Sequence, residues 1–332
     1  MYGISNKKML NMFILEILRN YTDENHSLTQ QEIIKLLEKD YGTVCDRRSV
    51  KNNVLLLKEF GESHGFEISM EDGYRMIFRE FDDAEIRILI DSVLFSKAFS
   101  SNQAKELIKK IRGLSSKYFN AKVSNICNIP ELNKNINRQN IYYIDKINDA
   151  ISEGHKISFI YNDIGTDFKL HPRREERYIV NPYRIVANNG KFYLIGNYDK
   201  YDNVVHFRID RMTEVRELED RVKPMKDVPE LKSGINLPKH MAEHIYMFSG
   251  TSTAVKLLTT KDMMSELVDW FGTDFSIIKK DEERIIVRVN CNEKAMKFWA
   301  LQYGPYVEVL EPESLRNQIK ESIADMSRKY SD

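Results

Sequence analysis

The stretch at residues 181–215, NPYRIVANNGKFYLIGNYDKYDNVVHFRIDRMTEV, decides how the middle of the chain folds. It predicts three consecutive β-strands. Residues 183–187 form the first. Asn188-Asn189-Gly190 then supplies residue types that tolerate positive φ, the chemistry of a tight hairpin turn. Residues 191–197, aromatic and β-branched, form the second strand, and 198–203 make a second polar turn. Residues 204–212 form the third strand and alternate: Val205, Phe207 and Ile209 on one face, His206, Arg208 and Asp210 on the other. An inward face needs only apolar residues. The opposite face offers a histidine, an arginine and an acid in a row, with Tyr193 on the neighbouring strand. That set suits an anion or a nucleotide. Its plain alternative is a solvated sheet face on which arginine and aspartate pair locally.

Two more strands precede these, at 156–161 and 168–171. A charge-rich loop, His171-Pro172-Arg173-Arg174-Glu175-Glu176-Arg177, follows the second. Five short strands between 156 and 212 have the size and order of a small barrel. Its candidate ligand-binding residues are Tyr161, His171, Arg173, Arg174, Tyr183, Tyr193, His206, Arg208 and Arg211, which supply bidentate anion contacts and stacking surfaces.

Towards the N-terminus, residues 6–20 predict an amphipathic helix with Met9, Met12, Phe13, Leu15, Ile17 and Leu18 on its buried face. Thr29 and Glu32 form a capping box for a second helix with Ile33, Ile34, Leu36 and Leu37 inside. Asp46 caps a third, 47–60, with Val50, Val54, Leu55 and Leu57 inside. Strands at 66–68 and 74–78 flank a turn ending in Gly73. Three helices and a hairpin are the order of a winged helix-turn-helix. Arg47, Arg48, Ser49, Lys51 and Asn52, early in the third helix, are residue types that reach phosphates and base edges. Residues 1–80 carry 11 Lys+Arg against 13 Asp+Glu, a net −2, whereas 43–58 carry four against one, a net +3. The charge is thus local to the third helix. A helical domain with a solvated charged face, or one that contacts protein, fits the same counts.

Residues 82–119 are helical, opened by a capping box of Asp82 and Glu85, with a break at Ser100-Ser101 and a second helix at 105–118. An Asn-rich polar stretch, 120–140, contains Pro130 and reads as a linker. Another amphipathic helix, 141–153, ends at Gly154. Beyond the strand-rich region, 224–240 is a connector with Pro224, Pro229 and Pro238. His240 and His244, at i and i+4, can face one metal. No third ligand stands near them in the sequence and the order is not that of a zinc protease helix, so the expectation is a surface or interface helix with no metal. Residues 251–330 then alternate as βαββαβ plus a final helix, the order of a ferredoxin-like unit. The fold class expected is multidomain α+β: 1–80, 81–154, 155–224 and 225–332.

The whole-chain balance bounds function. Lys+Arg and Asp+Glu are 50 each, so any nucleic-acid site must come from local charge placement. Three cysteines, Cys45, Cys127 and Cys291, are far apart and show no zinc or redox spacing, which points to inert thiols. There is no signal-peptide pattern and no long apolar run, so a cytoplasmic protein with no membrane partner is expected. No nucleophile–base motif and no phosphate-binding glycine loop is present, and no enzyme or cofactor is expected.

Phe192-Tyr193-Leu194 followed by Phe207-Arg208-Ile209-Asp210-Arg211 resembles the core of the WYL domain, an SH3-like β-barrel module of bacterial transcriptional regulators. Phe192 stands where that family has tryptophan, so any role of an indole N–H is lost here. DRRSVKNNV at 46–54 resembles the recognition helix of the winged helix-turn-helix that such proteins usually carry. FWALQYGPYVEVLEPESLRNQI at 298–319 resembles their C-terminal extension. The resemblance covers 155–330 and is looser over the N-terminal domain. It implies a ligand-responsive transcriptional regulator that binds a double-stranded DNA operator as a homodimer. It also implies a nucleotide or oligonucleotide effector held in a positive groove, with Tyr193 and Arg208 foremost. The competing expectation is a nucleic-acid-binding accessory factor of a defence or repair pathway without operator specificity.

Overall fold

A computed structural model describes residues 6–122, 137, 139–198 and 200–331. Most of the expected linker at 120–140, with Pro130, falls outside the described residues, as does Cys127. The chain divides into two compact units, Met1–Asn135 and Ile136–Asp332. Among the described residues no helix is long and apolar enough to cross a membrane.

The first unit opens with α1 (Leu10–Tyr21), α2 (Gln30–Tyr41) and α3 (Arg47–Gly61), followed by the hairpin β1 (Glu67–Ser69) and β2 (Arg75–Phe78). Local chemistry sets the helix starts. Thr29 accepts from the Glu32 backbone while Glu32 reaches back, and Asp46 accepts from Ser49 N at 2.7 Å. The core joins Ile14, Ile17, Leu18, Ile33, Leu37, Val50, Val54 and Leu57 to Phe66, Ile68 and Met76. The expected faces shift in two places. On α1, Leu10 and Ile14 are buried while Met9 and Met12 are exposed, because the true stripe runs 10, 14, 17, 18. On α3, Leu55 is exposed together with Leu56, since the inward positions are 50, 54 and 57. The hairpin turn needs Gly73, whose φ is +107° and whose added Cβ would lie 2.7 Å from Ser27 Oγ. Leu28 and Tyr74 pair backbone to backbone, so the strand entering α2 joins the hairpin.

Among the described residues this unit has three further helices: α4 (Asp83–Phe95), α5 (Ser101–Arg112) and α6 (Lys117–Lys122). Ile86, Ile90, Val93, Ala104, Ile108 and Phe119 form their own small core. They meet the first part of the unit through Tyr118, which stacks on His26 of the α1–α2 loop at 3.6 Å, and through Lys117, which lies over the Tyr21 ring of α1 at 4.8 Å.

The second unit begins with α7 (Asn140–Glu153), ended by Gly154 in the left-handed conformation. Six strands follow: β3 (His155–Ile164), β4 (Leu170–Pro172), β5 (Tyr178–Asn188), β6 (Lys191–Asn197), β7 (Val204–Arg208) and β8 (Met212–Arg221). They form one sheet in the order β4-β3-β5-β6-β7, with β8 added along β3. The third strand of the 181–215 stretch therefore ends at Arg208. Residues Ile209–Arg211 make a 3-10 turn, and the chain re-enters the sheet as β8. That last strand is absent from the sequence reading because MTEVRELEDR is dominated by charge. Only Met212 and Val215 are fully buried. Inside the curl, Phe159, Tyr161, Tyr178 and Phe207 pack ring against ring at 5.1–6.2 Å. Tyr143, Ile147 and Ala150 of α7 close this core. The sequence reading had placed that helix with the connector. Its apolar face is instead completed by the strands.

A connecting segment with the short helix α8 (Leu237–Glu243) runs along the other face of β5–β7, where Val228, Leu231 and Met247 pack on Tyr183, Val186, Ile195 and Val204. The chain then forms β9 (Ser252–Thr260), α9 (Met264–Phe271), β10 (Ser276–Lys280), β11 (Arg284–Asn292), α10 (Glu293–Gln302), β12 (Val307–Glu311) and α11 (Glu313–Lys329). The four strands form an antiparallel sheet in the order β10-β11-β9-β12, with Trp299 fully buried in its core.

Candidate functional site

The ends of β3 and β7, the loop after β4 and the 3-10 turn bring one cluster together. Tyr161 and Asp163 sit on β3, Arg173 and Arg174 after β4, Arg208 at the end of β7, and Asp210 and Arg211 in the turn. Arg208 holds Asp210 by two hydrogen bonds, Nε at 3.0 Å and Nη2 at 2.7 Å. Burial works against the Arg208 charge, but the bonds and charge of Asp210 outweigh it and hold its pKa above the ordinary value. Arg173 makes a second fork to Asp163, at 2.9 and 2.7 Å, and Arg211 reaches the same carboxylate at 3.3 Å. The Arg173 hydrogen bonds keep the Asp163 carboxyl below its usual range. Four arginines against two carboxylates leave the cluster two positive charges in excess. Arg211 Nε is buried with no hydrogen-bond partner, a donor whose desolvation is uncompensated.

Aromatic rings form its floor. Arg173 lies over the Tyr161 ring at 5.1 Å and Arg174 over Tyr178 at 3.7 Å. Tyr161 is itself core; its hydroxyl accepts the Arg208 backbone N–H at 3.1 Å, and burial raises its pKa. Tyr193 stands opposite Arg208 in the β6–β7 register, and burial raises its phenol too. Tyr198, beside Tyr178 and Phe207, is pushed by burial up to about 12. Tyr178, Tyr198 and Asp163 escaped the sequence reading. The signal for Asp163 was available, since it lies two residues after Tyr161 on the same strand face.

The structure thus gathers Tyr161, Tyr193, Arg173, Arg174, Arg208 and Arg211. It separates the other three expected residues. Tyr183 turns to the connecting segment and donates to Lys223 O at 2.8 Å. His171 stands opposite Asp163 in the β3–β4 register, but its ring pairs with Asp167 at 2.9 Å. His206 shares the Arg208 face, yet lies under the connecting segment against His240. A cleft of about 490 Å³ opens elsewhere, between the Asn188-Asn189 turn, α8 and α9, and none of the arginines lines it.

In the first unit, Arg47, Arg48, Lys51 and Asn52 are exposed on the first turns of α3 and Ser49 is half-buried. Its backbone hydrogen bond from Ser49 keeps the Asp46 carboxyl below its usual range, so the cap is charged at neutral pH. The cations are free of ion pairs within 4 Å among the described residues. Of the cysteines, Cys45 and Cys291 are free thiols, and burial pushes Cys291 up to about 12.

Residues 142–217 match the WYL domain, and residues 251–327 match the WCX domain. Comparison with curated proteins finds no match. Among solved structures the chain is similar to proteasome accessory factor B/C (PafBC) of Arthrobacter aurescens, with 15% identity and a TM-score of 0.32 over 98% of this chain and 49% of that one. It is also similar to a CRISPR Cas-related protein, with 14% identity and a TM-score of 0.41 over 99% of this chain and 87% of the other. The chain therefore spans about half the length of the first of these. The arginine cluster lies within the matched WYL segment, and the four-stranded sheet coincides with the WCX match. The second unit thus carries a match to the WYL domain followed by a match to the WCX domain.

Proposed function

We propose that this protein is a ligand-responsive, DNA-binding transcriptional regulator of the cytoplasm, without catalytic activity. In this reading α1–α3 and the β1–β2 hairpin are a winged helix-turn-helix, the curled sheet is an SH3-like sensor barrel, and the C-terminal sheet is a ferredoxin-like domain. The observation that carries the reading is the arginine–tyrosine cluster of the WYL domain. Forked guanidinium groups over aromatic rings suit phosphate groups and stacked bases of a nucleotide or single-stranded oligonucleotide. The exposed Arg47, Arg48, Lys51 and Asn52 support duplex binding by α3. The reading includes a homodimer on a two-fold-symmetric operator, the usual symmetry of such binding. An effector must bind one arrangement better than the other to change DNA affinity.

Selection of duplexes from random DNA by the full chain, beside an Arg47→Ala/Arg48→Ala variant, tests this. An enriched palindrome lost in the variant is the expected result. If neither protein enriches a motif, with or without added oligonucleotide, the operator-specific reading is wrong and the accessory-factor reading takes its place.

A further inference from the structure

His240 and His244 gain the third partner that the local sequence withheld. His206, from β7, brings its Nε2 to 2.8 Å from His240 Nε2. The His240 and His244 rings stack at 4.3 Å, one helical turn apart, and the His206 ring lies 5.1 and 4.9 Å from them. One ring nitrogen of each histidine lies within 4.8 Å of the other two.

Neutral rings alone do not satisfy this arrangement. Two Nε2 atoms at 2.8 Å share one proton. Whichever ring gives it, His206 Nδ1 remains buried without a hydrogen bond of normal geometry. The Phe248 backbone favours a proton on the His206 ring. His244 is 5% exposed and has a carbonyl at each ring nitrogen: His240 O at 3.0 Å from Nδ1 and Gly250 O at 3.3 Å from Nε2. A neutral imidazole has one N–H, so one of those nitrogens turns a lone pair towards other electron pairs. A cation removes both conflicts. It takes the converging lone pairs, and on His244 the remaining N–H points at a backbone oxygen, the outer-sphere pattern of metal-bound histidine.

We propose that His206, His240 and His244 form a three-histidine site for a divalent transition metal, Zn²⁺ in the first place, that clasps strand β7 to helix α8. Neutral imidazoles are the ligands such ions take. Burial, and repulsion by the neighbouring rings, lowers His206 to about 3 and His240 to about 4, so both lone pairs are available at neutral pH. Glu230 is the acid near enough to feel His244; burial raises its carboxyl and His244 lowers it. Tetrahedral ligation at about 2.0 Å separates two nitrogens by about 3.3 Å, so the His206–His240 pair opens by about half an ångström on loading. The fourth position is left to water. The site does not depend on the regulator reading, for it shares no residue with the arginine pairs.

The test is Zn²⁺ titration by calorimetry into chelator-stripped full-length protein, with Co²⁺ absorption as the geometric readout. The expected result is one ion per chain, tetrahedral-type Co²⁺ bands, and a thermal transition raised by Zn²⁺. His206→Ala and His240→Gln should each weaken Zn²⁺ at least about tenfold, a loss seen even for outer-sphere partners. His240 is only half-buried, so His240→Gln keeps the fold, which circular dichroism checks. His155→Ala alters the other histidine–carboxylate group, where His155 Nδ1 lies 2.6 Å from Glu217, and should leave binding unchanged. No stoichiometric binding by folded wild type, equal binding in both cluster variants, or loss only in His155→Ala each overturns the site.

Discussion

Arg208 and Asp210, two residues apart at the end of β7, close on each other in a two-pronged ion pair, with side chains only 19% and 13% exposed. The residue best placed to grip an anion is thus already gripped. A phosphate bound by Arg208 would have to displace Asp210.

Asp210→Asn should therefore tighten single-stranded oligonucleotide binding. An exchange of about 1 kcal/mol, the scale of a modest ion pair, is about fivefold in affinity. Arg208→Ala should weaken it by at least as much. Fluorescence anisotropy with a labelled oligothymidine reads both. Unchanged affinity in the two variants would remove Arg208 from the binding site.

The exposed cations of α3 predict a salt signature. If Arg47 and Arg48 each meet one phosphate, the double alanine variant flattens the log–log salt dependence of duplex binding by about 1.8, at about 0.9 per contact. A slope equal to wild type would mean that α3 does not face the DNA backbone there.

Ile147 of α7 is fully buried among the strands of the curled sheet. Ile147→Ala should cost about 2–5 kcal/mol. The chain's two tryptophans, Trp270 and Trp299, both lie in the second unit, so their fluorescence in urea follows its unfolding. A shift below about 0.5 kcal/mol would show that the helix is peripheral to this core.

The three histidines predict an acid-side weakness in metal-free protein. Burial holds His206 at about 3 and His240 at about 4, below the 6.5 of a free imidazole. The unfolded chain binds protons from about pH 6.5 downwards, while the folded chain does not. Stability is then full above that pH and falls as the pH drops towards 4. The groups facing one another here are His206, His240, His244 and Glu230. Melting temperatures across this window should fall less steeply for His240→Gln than for wild type, and equal slopes would refute the assignment.

Much of the chain was legible because its signals are local. The capping boxes at Thr29 and Asp82, the cap at Asp46 and the stop at Gly154 each depend on atoms within about a turn of one another, and each stands where the residues put it. The alternation of 204–208 likewise fixes which side chains face inwards. Only the tertiary structure decided what meets those faces. Strand β8 has a charged sequence and is a strand because β3 offers it a partner edge. Tyr183 and His206 left the expected ligand face because a segment some thirty to sixty residues further on packs over them. Whether a polar side chain on a sheet is a site or an interior contact is set by the element that covers it, and periodicity carries no information about that partner. For the same reason His240 and His244 looked solitary in sequence, and only the fold supplied His206.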